Sequence, residues 1–481
     1  MSKLRGLLVN EYIKIFGKLS TRILLGLVIL GALGFNGIIY LVSRQTSLTH
    51  ATPFGGALTA YELRNIAQER GHDQWERDAT RYDYFIANLI THTPTVYVQG
   101  VRIEQHPEAW RTQAVYTLFD FRWLMEDGLF PAAARPEAAA IHAAMDEAIL
   151  AGDWLAFTSA FHRGQELHYR HDPAPELAIA IWATEQALAH NAYPGSWQYH
   201  AIYLVQTAKT SLLHHDERHR YFDAQDVMRI NLYRLEQGIP GYLFPGMEFA
   251  HFHPHTMHLT GIPGIWAGFA ASLEFIGTLL GAFLIIIAGG VIAGEYAGGT
   301  IKFLLINPVA RWKFLLAKYV AVLTVGLGVL ALLFFANFIF SGLFFGFGGL
   351  SAPFLSVVEG EVVRRSAWLY IASRYLLGMA GAMVLATFAF ALSALVRSAA
   401  LAIGLSMFLF LGGWGAVALL RDLGFYQARY ILFANTNLLS VIGGYTGFAH
   451  HTLGFALLNI AAHMIVFLWT AWDAFVRTDI K

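Results

Sequence analysis

The sequence predicts an all-α integral membrane protein with six transmembrane helices and a large, mostly helical extracytoplasmic domain between the first and second. Three observations lead there. Apolar residues gather in runs, each at or near the roughly 20 residues that cross a bilayer. The 481-residue chain is 56% hydrophobic and only 14% charged, whereas a soluble domain carries about 25% charged residues. Basic residues cluster beside alternate ends of the runs, which marks the cytoplasmic side.

Residues 1–22 hold Lys3, Arg5, Lys14, Lys18 and Arg22, with Leu4, Leu7, Leu8, Tyr12, Ile15 and Phe16 spaced for one helical face. They predict a cytoplasmic amphipathic helix on the inner leaflet; the alternative is a flexible basic tail. The run Ile23–Val42 exceeds the roughly 7–15-residue core of a signal peptide, and Ser43-Arg44-Gln45 is no small-residue cleavage site. It therefore reads as a retained first span, 23–43, with the N-terminus inside. Residues 44–262 contain no spanning run and are long enough for their own core. Helical spacing recurs at Ala138, Ile141, Met145 and Ile149 after Pro136. It recurs again at Leu155, Phe161 and Leu167 after Gly152-Asp153. Leu177, Ile181, Thr184 and Leu188 follow Pro175, and Val227, Ile230, Tyr233 and Leu235 come near the end. Thr95–Ile103 is the one stretch that reads as a short hairpin.

Residues 263–481 form the transmembrane domain, with further helices at about 265–293, 319–347, 373–396, 399–420 and 453–472. Gly348–Ala372 reads as a polar outer loop, and Arg397-Ser398 as a tight inner turn. Residues 421–452 are half apolar and broken by Asn435, Asn437, Gly443 and Gly444. They read either as a segment dipping into the membrane, its backbone buried by protein, or as a plain outer loop. Charge supports the topology. The inner segments hold Lys3, Arg5, Lys14, Lys18, Arg22, Lys302, Arg311, Lys313, Lys318, Arg397, Arg477 and Lys481. The short outer loops and adjoining span end hold only Arg364, Arg365, Arg374, Arg421 and Arg429. Both termini are therefore expected in the cytoplasm, the protein being a multi-pass component of the cell membrane.

Between the second and third spans lies the segment 294–318, GEYAGGTIKFLLINPVARWKFLLAK. Gly298 and Gly299 break the preceding span. Thr300 is placed to cap a short helix with an apolar face of Ile301, Leu304 and Leu305, which Asn307-Pro308 ends. Arg311, Trp312 and Lys313 return the chain at the interface. The order E-x-x-x-G-T-I-K-x-L-L-x-x-P-V-x-R-W-K-x-L-x-x-K, from Glu295 to Lys318, resembles the permease subunits of ABC type-2 transporters. The resemblance covers the membrane half of the chain. It implies that 294–318 is a coupling helix docking on a separate ATPase. The residues matching the pattern or forming its docking face are Glu295, Gly299, Thr300, Lys302, Leu304, Pro308, Arg311, Trp312 and Lys318. It further implies two ATPase subunits, which carry ATP and Mg²⁺, and a second permease, identical or related.

The remaining constellations are weaker. No G-x-x-x-x-G-K-[ST] string occurs, so no nucleotide site is expected on this chain. The absence of cysteine removes thiolate metal sites and Cys nucleophiles. A zero formal charge does not suggest nucleic acid. His251, His253, His255 and His258 form one histidine cluster, His214, His215 and His219 a second, His168 and His171 a third. No metal site or catalytic set is expected. Glu274 and His463 are intramembrane ionisable groups and so functional candidates, although His463 can pair with Asn459 one turn away. Gly378–Gly381 and Gly412–Ala416 read as close helix packing. The expected function is an ATP-driven permease, an exporter by the family's tendency, embedded in the lipid bilayer. The rival is a membrane signalling or scaffold protein whose outer domain senses a ligand.

Overall fold

The computed structural model describes residues 2–45, 81–82, 97–98, 101–102, 109–214, 223–244, 264–301, 309–443 and 446–477. Six of the described helices are long and apolar enough to cross a membrane. They are Leu19–Gln45, Gly264–Val291, Arg311–Phe345, Ala367–Val396, Ala399–Asp422 and Leu453–Trp472. The second and fourth are the most enclosed, packing on each other; the first, fifth and sixth expose most of their apolar surface. The N-terminal amphipathic helix forms, as Ser2–Gly17, and lies against the third span.

Two span boundaries move. The third helix starts at Arg311, well before the expected Tyr319. Once nucleated, a helix extends cheaply, and no breaker follows Pro308, so the basic turn joins the span. The fourth starts at Ala367 rather than Ser373 because the expected polar loop is instead a β-hairpin, Pro353–Val358 paired with Glu361–Ser366, ending directly at the helix. Glu359 and Gly360, both at positive φ, make its two-residue turn. Phe354 and Leu355 are buried while Arg364 and Arg365 stay exposed. The predicted hairpin near 95–103 is also present, Tyr97–Val98 with Val101–Arg102.

Inside the bundle a polar chain joins four spans. Asn36 donates to Asn337 Oδ1 at 2.7 Å, and Ser341 donates to Asn36 at 3.0 Å. Ser272 donates to the same Asn337 oxygen at 3.0 Å, and Asn337 donates to Tyr375 at 2.6 Å. All five side chains are buried. With no water at that depth, each polar atom must find a protein partner, so the network fixes how the first four spans meet.

Five helices, Ala109–Glu126, Arg135–Ala151, Trp154–His171, Pro175–Ala189 and Trp197–Leu213, pack around a separate core that includes Trp110, Phe130, Met145, Trp154 and Phe157. Asp153 and Ser196 cap their helices, and Gly152 ends one in the left-handed region. The expected apolar face of 175–189 is corrected. Ala180, Ala183, Thr184 and Ala187 are buried, whereas Leu177, Ile181 and Leu188 are half-buried. Helices on both sides of 175–189 approach closely, and small side chains permit that spacing. The helix Ala224–Gln237 then leads to the bundle. Its Arg234, fully buried, donates to Asn231 Oδ1 at 2.7 Å and to the carbonyls of Ile239 and Pro240 at 3.2 and 2.8 Å. That holds the turn after Gly238, so Leu243 pairs with Phe354 of the hairpin.

The described residues of 421–452 fold back on the bundle instead of projecting as a plain loop. Two short helices, Leu432–Asn435 and Leu438–Ile442, pack among the fourth, fifth and sixth spans. Gly381 allows this: a Cβ there would collide with the Thr436 carbonyl oxygen.

Candidate functional site

The second span ends at Val291, and the chain kinks at Ile292 before the one-turn helix Ala293–Ala297. The break is held from the fourth span: Ser393 Oγ accepts the backbone N–H groups of Ile292 and Ala293, at 3.2 and 2.9 Å. Helix termini leave such donors unpaired, so one hydroxyl satisfies two of them. The break therefore precedes Gly298 and Gly299. Gly299 instead takes the left-handed turn after the short helix, at φ 69°.

This turn brings Glu295 into a buried ion cluster. Lys318 Nζ, 1% exposed, contacts both carboxylate oxygens of Glu11 at 3.0 and 2.9 Å and Glu295 Oε1 at 3.1 Å. Lys14 Nζ reaches the same Glu295 oxygen at 2.7 Å, and the Thr300 hydroxyl donates to the other. Two carboxylates meet two ammonium groups, so the cluster closes with no net charge. Burial alone would raise the Glu295 carboxyl, but the Lys318 charge and hydrogen bonds from Lys14, Thr300 and Lys318 outweigh it and hold it at about 2. The cluster fastens three elements together: the N-terminal helix, the segment after the second span, and the third span. Tyr12 adds a 2.6 Å hydrogen bond to Thr324.

Two other connections arrive at the same end of the bundle. Arg397, between the fourth and fifth spans, lies 5.0 Å from the Tyr296 ring centroid. The turn Asp473–Arg477 after the sixth span meets the third span, with Arg311 donating to the Val476 carbonyl at 3.4 Å. The described connections at 293–301, 397–398 and 473–477 thus gather with the helix Ser2–Gly17 at one end, and the helical layer and the 353–366 hairpin lie at the other.

Several sequence expectations for this segment change. Glu295 and Lys318 are buried partners of each other. Ile301 is 4% exposed and packs into the bundle core, so it does not form part of an exposed apolar face. Thr300 donates to Glu295, and the short helix it was expected to cap lies outside the described residues. Arg311 and Trp312 ride on the first turn of the third span, where Trp312 remains half exposed. Lys302, Leu304, Leu305 and Pro308 lie outside the described residues. Glu11 was missed; its signal was an acid three residues before Lys14, on one face of an otherwise basic helix. Asn36 and Asn337, polar residues inside apolar runs, were equally visible and equally missed.

Of the histidine groups, 251–258 and positions 215 and 219 lie outside the described residues. His168 faces Asp172 at 4.0 Å, His171 packs edge-on to Phe130, and His214 approaches Glu176 at 3.3 Å. His463 does bond Asn459, through the latter's backbone carbonyl at 2.9 Å. Gly381 and Gly413 sit at close packing contacts, whereas Gly378 borders open space.

Residues 231–481 match the family described as "Protein of unknown function (DUF2705)". The chain is similar to "Uncharacterized protein YhcI" of Bacillus subtilis (strain 168), 34% identical over 53% of this chain and 76% of that protein. It is also similar to "Uncharacterized membrane protein YdbK" of the same organism, 27% identical over 44% of this chain and 83% of that protein. No solved structure matches the chain.

Proposed function

The chain belongs to the DUF2705 family, and from that footing we propose that it is the permease subunit of an ATP-driven transporter, coupled to separate ATPase subunits through 294–318. The Glu11–Lys318–Glu295–Lys14 cluster carries this reading. A segment tied by buried ion pairs to two spans and an N-terminal helix moves them when it is pushed. Breaking such a pair costs about 3–5 kcal/mol, so the junction transmits displacement rather than absorbing it. Residues 302–308 then form the docking contact, with Trp312 at its edge. ATP and Mg²⁺ belong to the ATPase, and a second permease, identical or related, completes the path across the bilayer. Export is the direction that the resemblance implies.

The test is to purify the protein with its ATPase and compare Leu304→Asp and Trp312→Ala with a Lys481→Ala control. Losing an apolar interface anchor costs about 2 kcal/mol, roughly thirtyfold in affinity, and a charge in its place costs more. Both variants should insert normally yet lose the ATPase and ATP-driven transport in proteoliposomes. Full ATPase retention and activity in both would remove the coupling role.

One observation favours a sensor instead: the helical layer is joined directly to the 353–366 hairpin through Leu243 and Phe354. Ligand binding there would reach the third and fourth spans without any transport. A reconstituted complex that moves no substrate while its ATPase responds to an outer ligand would favour that reading.

A further inference from the structure

A cavity of about 620 Å³ opens between the second, fourth and fifth spans and the short helices at 432–442. It lies in the half of the bundle nearer the helical layer. Its walls include Phe410, Trp414 and Phe433, and Glu274 stands among them. The Glu274 side chain is exposed and makes no hydrogen bond or ion pair among the described residues. Gly277 and Gly378 also line the cavity, and a Cβ at either would meet nothing within 4 Å. The space is therefore real room and not a packing seam. Leu411 and Trp414, on its rim, are 69% and 55% exposed, so the mouth faces the lipid side of the bundle.

We propose that this groove binds an amphipathic organic cation, with Glu274 as the counter-charge and the aromatic rings as the apolar wall. An acidic group at membrane depth is costly unless a cation meets it, and the described protein supplies none. Aromatic faces favour cations over anions. The volume falls within the roughly 300–1,000 Å³ of small-molecule sites. A lipid-facing mouth selects a ligand that partitions into the bilayer. That such a cation would be cargo rests on the permease reading above; that it binds does not.

The experiment measures binding of radiolabelled tetraphenylphosphonium to the full chain in detergent, by equilibrium dialysis, without any ATPase. Tetraphenylborate, of the same shape and opposite charge, controls for partition into the micelle. The wild type should bind the cation saturably and not the anion. Glu274→Gln should weaken binding by about tenfold or more, the usual scale for losing a charged partner. Glu274→Asp should retain most of it. Gly378→Leu should weaken it by filling the groove while leaving Glu274 in place. Equal binding of both ions, or undiminished binding to Glu274→Gln, overturns the proposal. So does a wild type that binds nothing while Glu274→Gln alters the oligomeric mass, because a second copy would then cover the groove. Since no ATPase takes part, failure of the coupling experiment leaves this result unaffected.

Discussion

Lys318 is the residue on which the junction depends, because two carboxylates share it inside a bundle that excludes water. Lys318→Ala leaves Glu11 and Glu295 facing one another, with Lys14 the one cation paired to Glu295 among the described residues. The expected loss is about 3–5 kcal/mol, the cost of orphaning buried charge, read as a fall in the thermal midpoint of the detergent-solubilised chain. Acid should act on the same site. The Glu295 carboxyl is depressed from 4.5 to about 2, so its folded form binds protons less readily than its unfolded form. The stabilisation is therefore complete above about pH 4.5 and disappears as pH falls towards 2. A midpoint that drops through this window in the wild type, and drops less in Lys318→Ala, would match. Identical acid sensitivity in the two would show that Lys318 does not set the Glu295 carboxyl.

Among the elements, the helix Ala224–Gln237 and the 353–366 hairpin form the hinge between the helical layer and the bundle. Ile230, Ile239, Tyr242, Leu243 and Phe244 join Phe354 and Leu355 in the bundle's apolar core. Arg234 adds the polar clamp: its guanidinium satisfies two carbonyls and an amide oxygen while stacking 4.3 Å from the Tyr242 centroid. Burial lowers the Arg234 group from its ordinary value, partly offset by Tyr242, yet arginine stays charged in proteins. Removing it strands buried acceptors at about 1–3 kcal/mol each. Arg234→Ala should therefore free the 239–244 strand from Phe354 while the spans stay folded. Faster hydrogen exchange at Leu243 and Leu355, with unchanged exchange in the second and fourth spans, is the expected pattern. Unchanged protection at both would show that the pairing does not depend on Arg234.

For the whole molecule, the gathering of 2–17, 293–301, 397–398 and 473–477 at one end follows from an even number of spans with short turns. From the charge asymmetry we propose that this end faces the cytoplasm. The chain has no native cysteine, so single cysteines at 128, 171 and 311 report sidedness cleanly. An impermeant maleimide on whole cells should label 128 and 171 and spare 311. Labelling of 311 alone would invert the orientation without altering the fold.

How much the sequence fixes depends on the range of the interaction. Apolar runs, caps at Asp153 and Gly152, and the two-residue turn at Arg397-Ser398 are local or nearly so. They placed the six spans and most of the helices between the first and second. The hairpin at 353–366 carried a readable turn, Glu359-Gly360, but its flanking charges hid the alternation. Only the tertiary structure could pair Glu11 with Lys318, or Asn36 with Asn337, across some 300 positions. Nothing local marks which polar group in an apolar run will meet which other. Ile301 shows the same limit, because helical periodicity gives a face but not the neighbour that covers it. The groove at Glu274 is a void between three spans and two short helices, set by where Gly277 and Gly378 fall against Phe433 and Trp414. The sequence determined which segments enter the membrane, since burying backbone in lipid demands long apolar helices. The tertiary structure decided which polar groups those helices share, since desolvated charges and amides must find partners wherever packing brings them.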